Sequence, residues 1–263
     1  MDYFSDLAGK RVVVTGACGV IGRWITQTFS EAGAHLCLTD MRVEQLDQLA
    51  AEFDLGRDGF VCAANLADEQ SIEALAENIG KRWGAADVLV NNAGIYPSGF
   101  LLDISTQEFD TIFAVNLRAP FILTKAIAKQ MIAKGVKGSV INISSGASRK
   151  MRRSVVPYCM SKTALDRLSK GFAIELAEFG IRTNALEPGF MSGSAVSPLT
   201  ESHVAKTIAG IPLGRPSSRM DVGVGLLYLA SNASSFVTGS TLTIDGGNSI
   251  GSMEVLQDKK SPL

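Results

Sequence analysis

The chain has 263 residues, 46% hydrophobic and 19% charged, enough to bury a large core and unlike the apolar-poor composition of disorder. Its 25 basic and 26 acidic residues leave a net charge of −1, so no long-range field draws the molecule to nucleic acid or an anionic membrane. The beginning, MDYFSDLAGKR, is too charged for a signal peptide, and no run of about 18 apolar residues occurs, which together point to the cytoplasm.

In chain order, short β-branched runs alternate with stretches of helical periodicity. Strands are expected at 11–15, 35–39, 59–63, 87–91, 139–143, 182–186 and 241–244. Between the first two, Ile21, Trp24, Ile25, Thr28, Phe29 and Ala32 follow the i, i+3, i+4 pattern of one buried helix face. Ile72, Leu75, Ala76, Ile79 and Trp83 repeat it, as do Leu165, Leu168, Phe172 and Leu176. Continuous apolar strands between amphipathic helices describe an α/β fold with a parallel sheet covered on both faces. No linker or repeat divides the chain, so one domain over 1–250 is expected, followed by a polar tail at 251–263. Residues 190–212 read as a long connection of the kind that forms lids, with room for a short helix.

The first strand is followed by TGACGVIG, with Gly16, Gly19 and Gly22 three apart. Glycines there let the backbone turn off the strand, approach a pyrophosphate and pack a helix against the sheet, and the helix N-terminus offers free N–H groups. Asp40 ends the second strand eighteen residues beyond Gly22. A carboxylate there accepts bonds from both ribose hydroxyls and repels a 2′-phosphate, which selects NAD over NADP. Arg42 argues the other way, since a guanidinium two residues on can fold over a phosphate.

Tyr158 and Lys162 are spaced i, i+4, one face of a helix that Pro157 would start. A phenol titrates near 10, and lowering it to about 7 takes roughly 4 kcal/mol, for which Lys162 is the obvious cation. In helical register, Pro120 deprives the carbonyl of Asn116 of its N–H donor, which frees that carbonyl for a water; alternatively, Pro120 merely begins a new helical turn. Cys18, Cys37, Cys62 and Cys159 lie far apart with no C-x-x-C pair, and His35 and His203 are the only histidines, so no metal site or disulfide framework is expected.

The ordered set TG-x-x-G-x-x-G, NNAG at 91–94, INISS at 141–145, Y-x-x-x-K at 158–162, PGF at 188–190 and TIDGG at 243–247 resembles the short-chain dehydrogenase/reductase family from about residue 8 to residue 248. The resemblance implies a Rossmann-type doubly wound sheet, a homo-oligomer (commonly a tetramer) and hydride exchange between a small-molecule alcohol and a nicotinamide. It implies that Tyr158 is the acid/base, that Lys162 lowers its pKa and holds the nicotinamide ribose, and that Asn116 completes the proton relay. It assigns the substrate-oxygen serine to Ser145, thirteen residues before the tyrosine, with Ser144 as the alternative. It further implies a cofactor site lined by Gly16, Gly19, Ile21, Gly22, Asp40, Asn65, Leu66, Asn92, Ala93, Gly94, Tyr158, Lys162, Pro188 and Gly189.

Three departures qualify the match. Val20 stands where the short-subunit branch usually has its middle glycine, Asn65 replaces a frequent aspartate near the adenine, and Gly193 replaces a carboxamide-binding threonine for which Ser192 or Ser194 can substitute. Between Ser145 and Tyr158 lie Arg149, Lys150, Arg152 and Arg153. In this fold that stretch walls the substrate pocket, so Arg152 or Arg153 is a candidate for an anionic substrate, with Tyr96, Ile95 and Phe190 adding apolar surface. The other reading is a solvated loop or subunit contact. The alternatives in function are an NADPH-dependent 3-oxoacyl-thioester reductase and a non-catalytic nucleotide-binding regulator.

Overall fold

The computed structural model describes residues 5–191, 200–251 and 253. The elements run β1 (Arg11–Thr15), α1 (Val20–Glu31), β2 (His35–Thr39), α2 (Val43–Glu52), β3 (Phe60–Val61), α3 (Glu69–Trp83), β4 (Val88–Asn91), α4 (Thr106–Phe113), α5 (Ala119–Lys134), β5 (Ser139–Ile143), α6 (Val156–Leu176), β6 (Arg182–Pro188), α7 (Glu201–Ala209), α8 (Arg219–Ala230) and β7 (Thr241–Ile244). A π-helical turn, Ala114–Arg118, joins α4 to α5. The strands form one all-parallel sheet in the order β3-β2-β1-β4-β5-β6-β7.

Strand alternation divides the core into two layers. Val12, Val14, Leu36, Leu38, Val88 and Val90 pack with Ile25 and Phe29 of α1 and Val222 and Leu226 of α8. Val13, Cys37, Leu89 and Val140 pack on the other face with α3 and α5 through Ile72, Leu75, Ile79, Leu123, Ile127 and Met131. Every expected strand forms, with shifted ends. β3 shrinks to two residues at the sheet edge because the Gly59 N–H turns back to the Leu55 carbonyl (3.1 Å). β6 runs on to Pro188 because Glu187 and Pro188 pair in register with Thr243 and Ile244 of β7.

Side chains cap several helices: Asp68 starts α3, and Ser105–Glu108 and Ser218–Asp221 close capping boxes on α4 and α8. α1 instead begins at Gly19 with no side-chain cap. The continuous helical stretch Thr106–Lys134 has the length and hydropathy of a membrane span, yet half of its most apolar window is buried inside the protein. Packing against α3 and α6 accounts for that apolarity. In the expected lid, α7 is present at Glu201–Ala209, whereas Ser192, Gly193 and Ser194, like most of the tail, lie outside the described residues.

Candidate active site

β1 and β4 are neighbours, but the chain leaves them toward opposite sides of the sheet, which opens a crevice at their carboxyl ends. Two loops close its floor. Asn92 Nδ2 donates to the carbonyls of Thr15 (2.8 Å) and Gly16 (3.1 Å), while Thr15 Oγ1 accepts the N–H groups of Asn92 and Ala93 at 2.9 and 3.0 Å. The approach requires glycine: Gly16 has φ +63°, and a Cβ on it would lie 2.8 Å from Ala93 Cα. A Cβ on Gly22 would strike the carbonyl oxygens of Gly16 and Ala17. The uncapped first turn of α1, including Ile21 and Gly22, therefore faces the crevice with N–H groups to offer, a donor set that fits a dinucleotide pyrophosphate.

Asp40 lies at the rim, buried, with four bonds to its carboxylate: the N–H of Cys18 (3.1 Å), and the backbone N–H, Nε and Nη2 of Arg42 (3.1, 2.9 and 3.0 Å). Burial raises its pKa, but the Arg42 and Cys18 hydrogen bonds outweigh that and hold the carboxyl below its ordinary value. Burial and Asp40 also push the Cys18 thiol up to about 11. Asn65 is exposed, and its Oδ1 accepts the Ala67 N–H (3.0 Å) beside half-buried Leu66. At the far side, the Gly189 N–H donates to Ile244 (2.8 Å), which fixes the segment after Pro188.

The second cluster sits on α6, with Pro157 in its first turn. The Ser145 hydroxyl favours the Tyr158 phenolate, and the Tyr158 ring stands 5.6 Å from that of Tyr96. Ser144, the alternative, has a buried Oγ that lacks a hydrogen-bond partner among the described residues. Lys162 is buried, its Nζ donating to the Ile143 carbonyl (2.7 Å) and lying 5.9 Å from the Tyr158 ring centroid. Burial lowers its pKa to about 8, against the opposing charge of Asp166. Burial raises the Tyr158 phenol above its ordinary value, outweighing the lowering expected from Lys162, and the Ser145 hydroxyl offsets it only in part.

Asn116, fully buried in the π turn, grips the chain beyond β4 from both sides. Its Oδ1 accepts the Ile95 N–H (2.8 Å), and its Nδ2 donates to the Ile95 carbonyl (2.8 Å) and Ser161 Oγ (3.0 Å). A Cβ on Gly94 would lie 3.4 Å from Asn116 Oδ1 and 3.5 Å from Lys162 Nζ, so both side chains converge on that glycine. Pro120 is the second residue of α5, and the Ala119 N–H before it reaches back five residues to Ala114, so Pro120 begins a helical turn, the alternative reading, rather than interrupting a regular α register at Asn116.

The basic stretch divides by role. Arg149 Nη2 bonds Glu187 (2.5 Å), Thr243 Oγ1 (3.0 Å) and Ser249 Oγ (2.6 Å), and Lys150 Nζ donates to the Asn248 carbonyl (3.1 Å), so these two staple the loop to the chain after β7. Arg153 stacks over Phe100, 5.0 Å from its centroid. Arg152 is exposed, and its charge favours the Tyr158 phenolate. The loop is tied across the mouth by a bond from the Gly99 N–H to the Ser154 carbonyl (2.8 Å), and half-buried Phe190 accepts from Ser217 N–H (2.8 Å). Sequence reasoning missed Glu187, Ser161 and Asp166. For Glu187 the signal was present, a carboxylate inside the apolar run of β6.

A match to the family described as enoyl-(acyl carrier protein) reductase spans residues 16–249. The chain belongs to the short-chain dehydrogenase/reductase family. It is 39% identical to L-xylulose reductase of Mus musculus over 243 residues, 92% of this chain and 97% of that protein. Identity to the 3-oxoacyl-[acyl-carrier-protein] reductase of Thermotoga maritima is 35%, over 92% of this chain and 98% of the relative. The structure of a gluconate 5-dehydrogenase from Burkholderia cenocepacia J2315, in complex with NADP and tartrate, superposes with a TM-score of 0.88 at 31% identity, covering 95% of this chain and 98% of that one. Like these short-chain dehydrogenases, the protein is an NAD(P)-dependent oxidoreductase.

Proposed function

We propose that the protein interconverts a secondary alcohol and a ketone, with Tyr158 as the acid/base. The observation that carries the reading is the meeting of the Lys162 and Asn116 side chains at Gly94, with Lys162 Nζ 5.9 Å from the Tyr158 ring centroid and the Ser145 hydroxyl favouring the Tyr158 phenolate. Ser145 and the Tyr158 hydroxyl hold the substrate oxygen, and Tyr158 takes or gives its proton. Lys162 binds the nicotinamide ribose and supplies positive charge beside the phenol, while Asn116 holds the floor of the pocket. The cofactor, when bound, supplies the carbon that accepts or donates hydride. Tyr158→Phe should cost at least about 100-fold in kcat with dinucleotide binding retained, the scale of a lost acid/base; unchanged turnover would remove the mechanism.

NAD is the preferred cofactor in this reading, because the Asp40 carboxylate stands where a ribose hydroxyl would donate and a 2′-phosphate would be repelled. Arg42, the counter-candidate, is engaged with Asp40. The substrate is a small hydroxy compound bearing a carboxylate, with Arg152 as its partner and Tyr96 and Phe190 as apolar walls. Support comes from the position of Arg152 near Tyr158 and from the tartrate in the Burkholderia structure. NAD-linked oxidation of hydroxy acids against their methyl esters tests it: Arg152→Ala should erase a preference for the acid, whereas equal rates for acid and ester would discard the clamp.

A second reading, 3-oxoacyl-thioester reduction, is favoured by the exposed side chains of Phe100, Leu101 and Leu102 beside the loop tied to Ser154, together with the Thermotoga relative. Reduction of a 3-oxoacyl thioester faster than of any hydroxy-acid ketone would favour it. We further propose one cytoplasmic catalytic domain over 1–250 with the tail 251–263, assembled as a homotetramer. Exposed Phe121 on α5 and Ile174 on α6 suit a subunit contact, which light scattering would test.

A further inference from the structure

Behind the Tyr158–Lys162 pair lies a buried polar cluster that the proposed reaction does not use. Asp166 is one helical turn beyond Lys162 on α6, so the two side chains share a face. That turn is tied to the loop after β5: Lys162 Nζ bonds the Ile143 carbonyl, and Thr163 Oγ1 donates to the Ser148 carbonyl (2.7 Å). Ser148 Oγ in turn donates to Glu187 (2.7 Å), whose charge is neutralised by Arg149. Asp166 Oδ1 and Ser144 Oγ are both buried, and among the described residues neither reaches a partner at hydrogen-bond geometry. The Ser144 and Ser148 hydroxyls favour the Asp166 carboxylate electrostatically without closing a bond to its Oδ1.

A half-buried carboxylate with an unpaired oxygen is costly unless a charge nearby compensates. The charged groups around Asp166 are Lys162 on its own helix and Glu187 from β6. Glu187 is committed to Arg149, Ser148 and Thr243 Oγ1 (2.8 Å), whereas Lys162, one turn back on the same helix face, is a cation whose charge Asp166 favours. We propose that Asp166 is a positioning residue for the redox reaction: it keeps the buried Lys162 ammonium charged, and through Lys162 it governs when Tyr158 can exchange its proton. Burial, aided by Glu187, raises the Asp166 carboxyl on balance, but Lys162 works to lower it and Asp166 works to raise Lys162 against burial, the reciprocal signs expected of such a pair.

The inference rests on the proposed roles of Tyr158 and Lys162, so its test needs a readout that does not require turnover. Trace acetylation of Lys162 with acetic anhydride across pH, read by mass spectrometry, reports the titration of that amine directly. The midpoint should lie near 8 in the wild type and fall by about one unit in Asp166→Asn, the shift expected on losing a near opposite charge. The alkaline limb of kcat/KM for ketone reduction should move down with it, and Asp166→Glu should restore both. Asp166→Ala, which removes the charge without adding volume, should give the same shift should the asparagine variant fold poorly. An unmoved labelling midpoint, or a moved midpoint with an unmoved rate profile, overturns the proposal. A wild-type protein inactive on every alcohol and ketone would instead sink the redox reading, with the labelling result still interpretable.

Discussion

Arg149 and Glu187 form an ion pair at 2.5 Å that joins the loop after β5 to the end of β6, immediately before Pro188 and Gly189. The Glu187 side chain is almost wholly buried and that of Arg149 is 42% exposed, so the guanidinium closes the cluster from outside. Arg149→Met should destabilise the protein by about 2 kcal/mol, the lower end of breaking a buried pair because the arginine is partly solvated. In urea denaturation, the double variant Arg149→Met/Glu187→Gln should recover much of that loss, since no uncompensated carboxylate remains.

Lys162 should show the opposite balance. Its folded pKa, about 8, lies below the ordinary lysine value of 10.5, so the unfolded chain binds more protons between those limits and stability rises with pH across them. The cost of burying the charge is full below about pH 8 and fades toward pH 10.5. The double variant Lys162→Met/Asp166→Asn, which leaves no uncompensated carboxylate, should therefore stabilise the fold at pH 7 by about 2 kcal/mol while removing activity, the margin shrinking as pH rises. A wild type that loses stability relative to the variant between pH 8 and 10 would contradict the sign.

Cofactor choice can be tested at one salt bridge. Asp40→Ser should release Arg42, weaken NADH binding about tenfold, and improve NADPH binding as the guanidinium becomes available to a 2′-phosphate. The double variant Asp40→Ser/Arg42→Ala should bind both weakly. Fluorescence titration of each reduced dinucleotide measures this, and tighter NADPH than NADH binding in the wild type would reverse the assignment.

Gly16→Ala should be among the most damaging conservative changes in the chain. It combines φ +63° with a Cβ placed 2.8 Å from backbone at Ala93, so about 2 kcal/mol or more of stability and most dinucleotide affinity should be lost together. Gly135→Ala shares the positive φ (+65°) but meets open space, so it should cost only about 1 kcal/mol with binding intact.

Much of the fold was legible in the sequence. The strands were readable because a parallel sheet buried on both faces demands apolar runs, and the glycines because their spacing matches a strand-to-helix turn. Two features were hidden. The π turn at Ala114–Arg118 leaves no periodic signature over five residues, so a regular helical register misplaces Pro120 relative to Asn116. The basic stretch read as one block because charge runs carry no direction. Only the fold sends Arg149 and Lys150 toward residues 243–249, about 100 positions away, and Arg152 toward the phenol.

The grip of Asn116 on Ile95 bears on how this protein can change. A single carboxamide satisfies both backbone groups of one residue, as an adjacent peptide unit would, and so substitutes for a sheet partner just where β4 has ended. Hydrogen bonding at that point is thus supplied by a side chain fixed in a helix, whatever residues come after Ile95. The segment proposed to meet the substrate is then free to drift in sequence and length, and new specificities can be tried there without unravelling the strand that carries it.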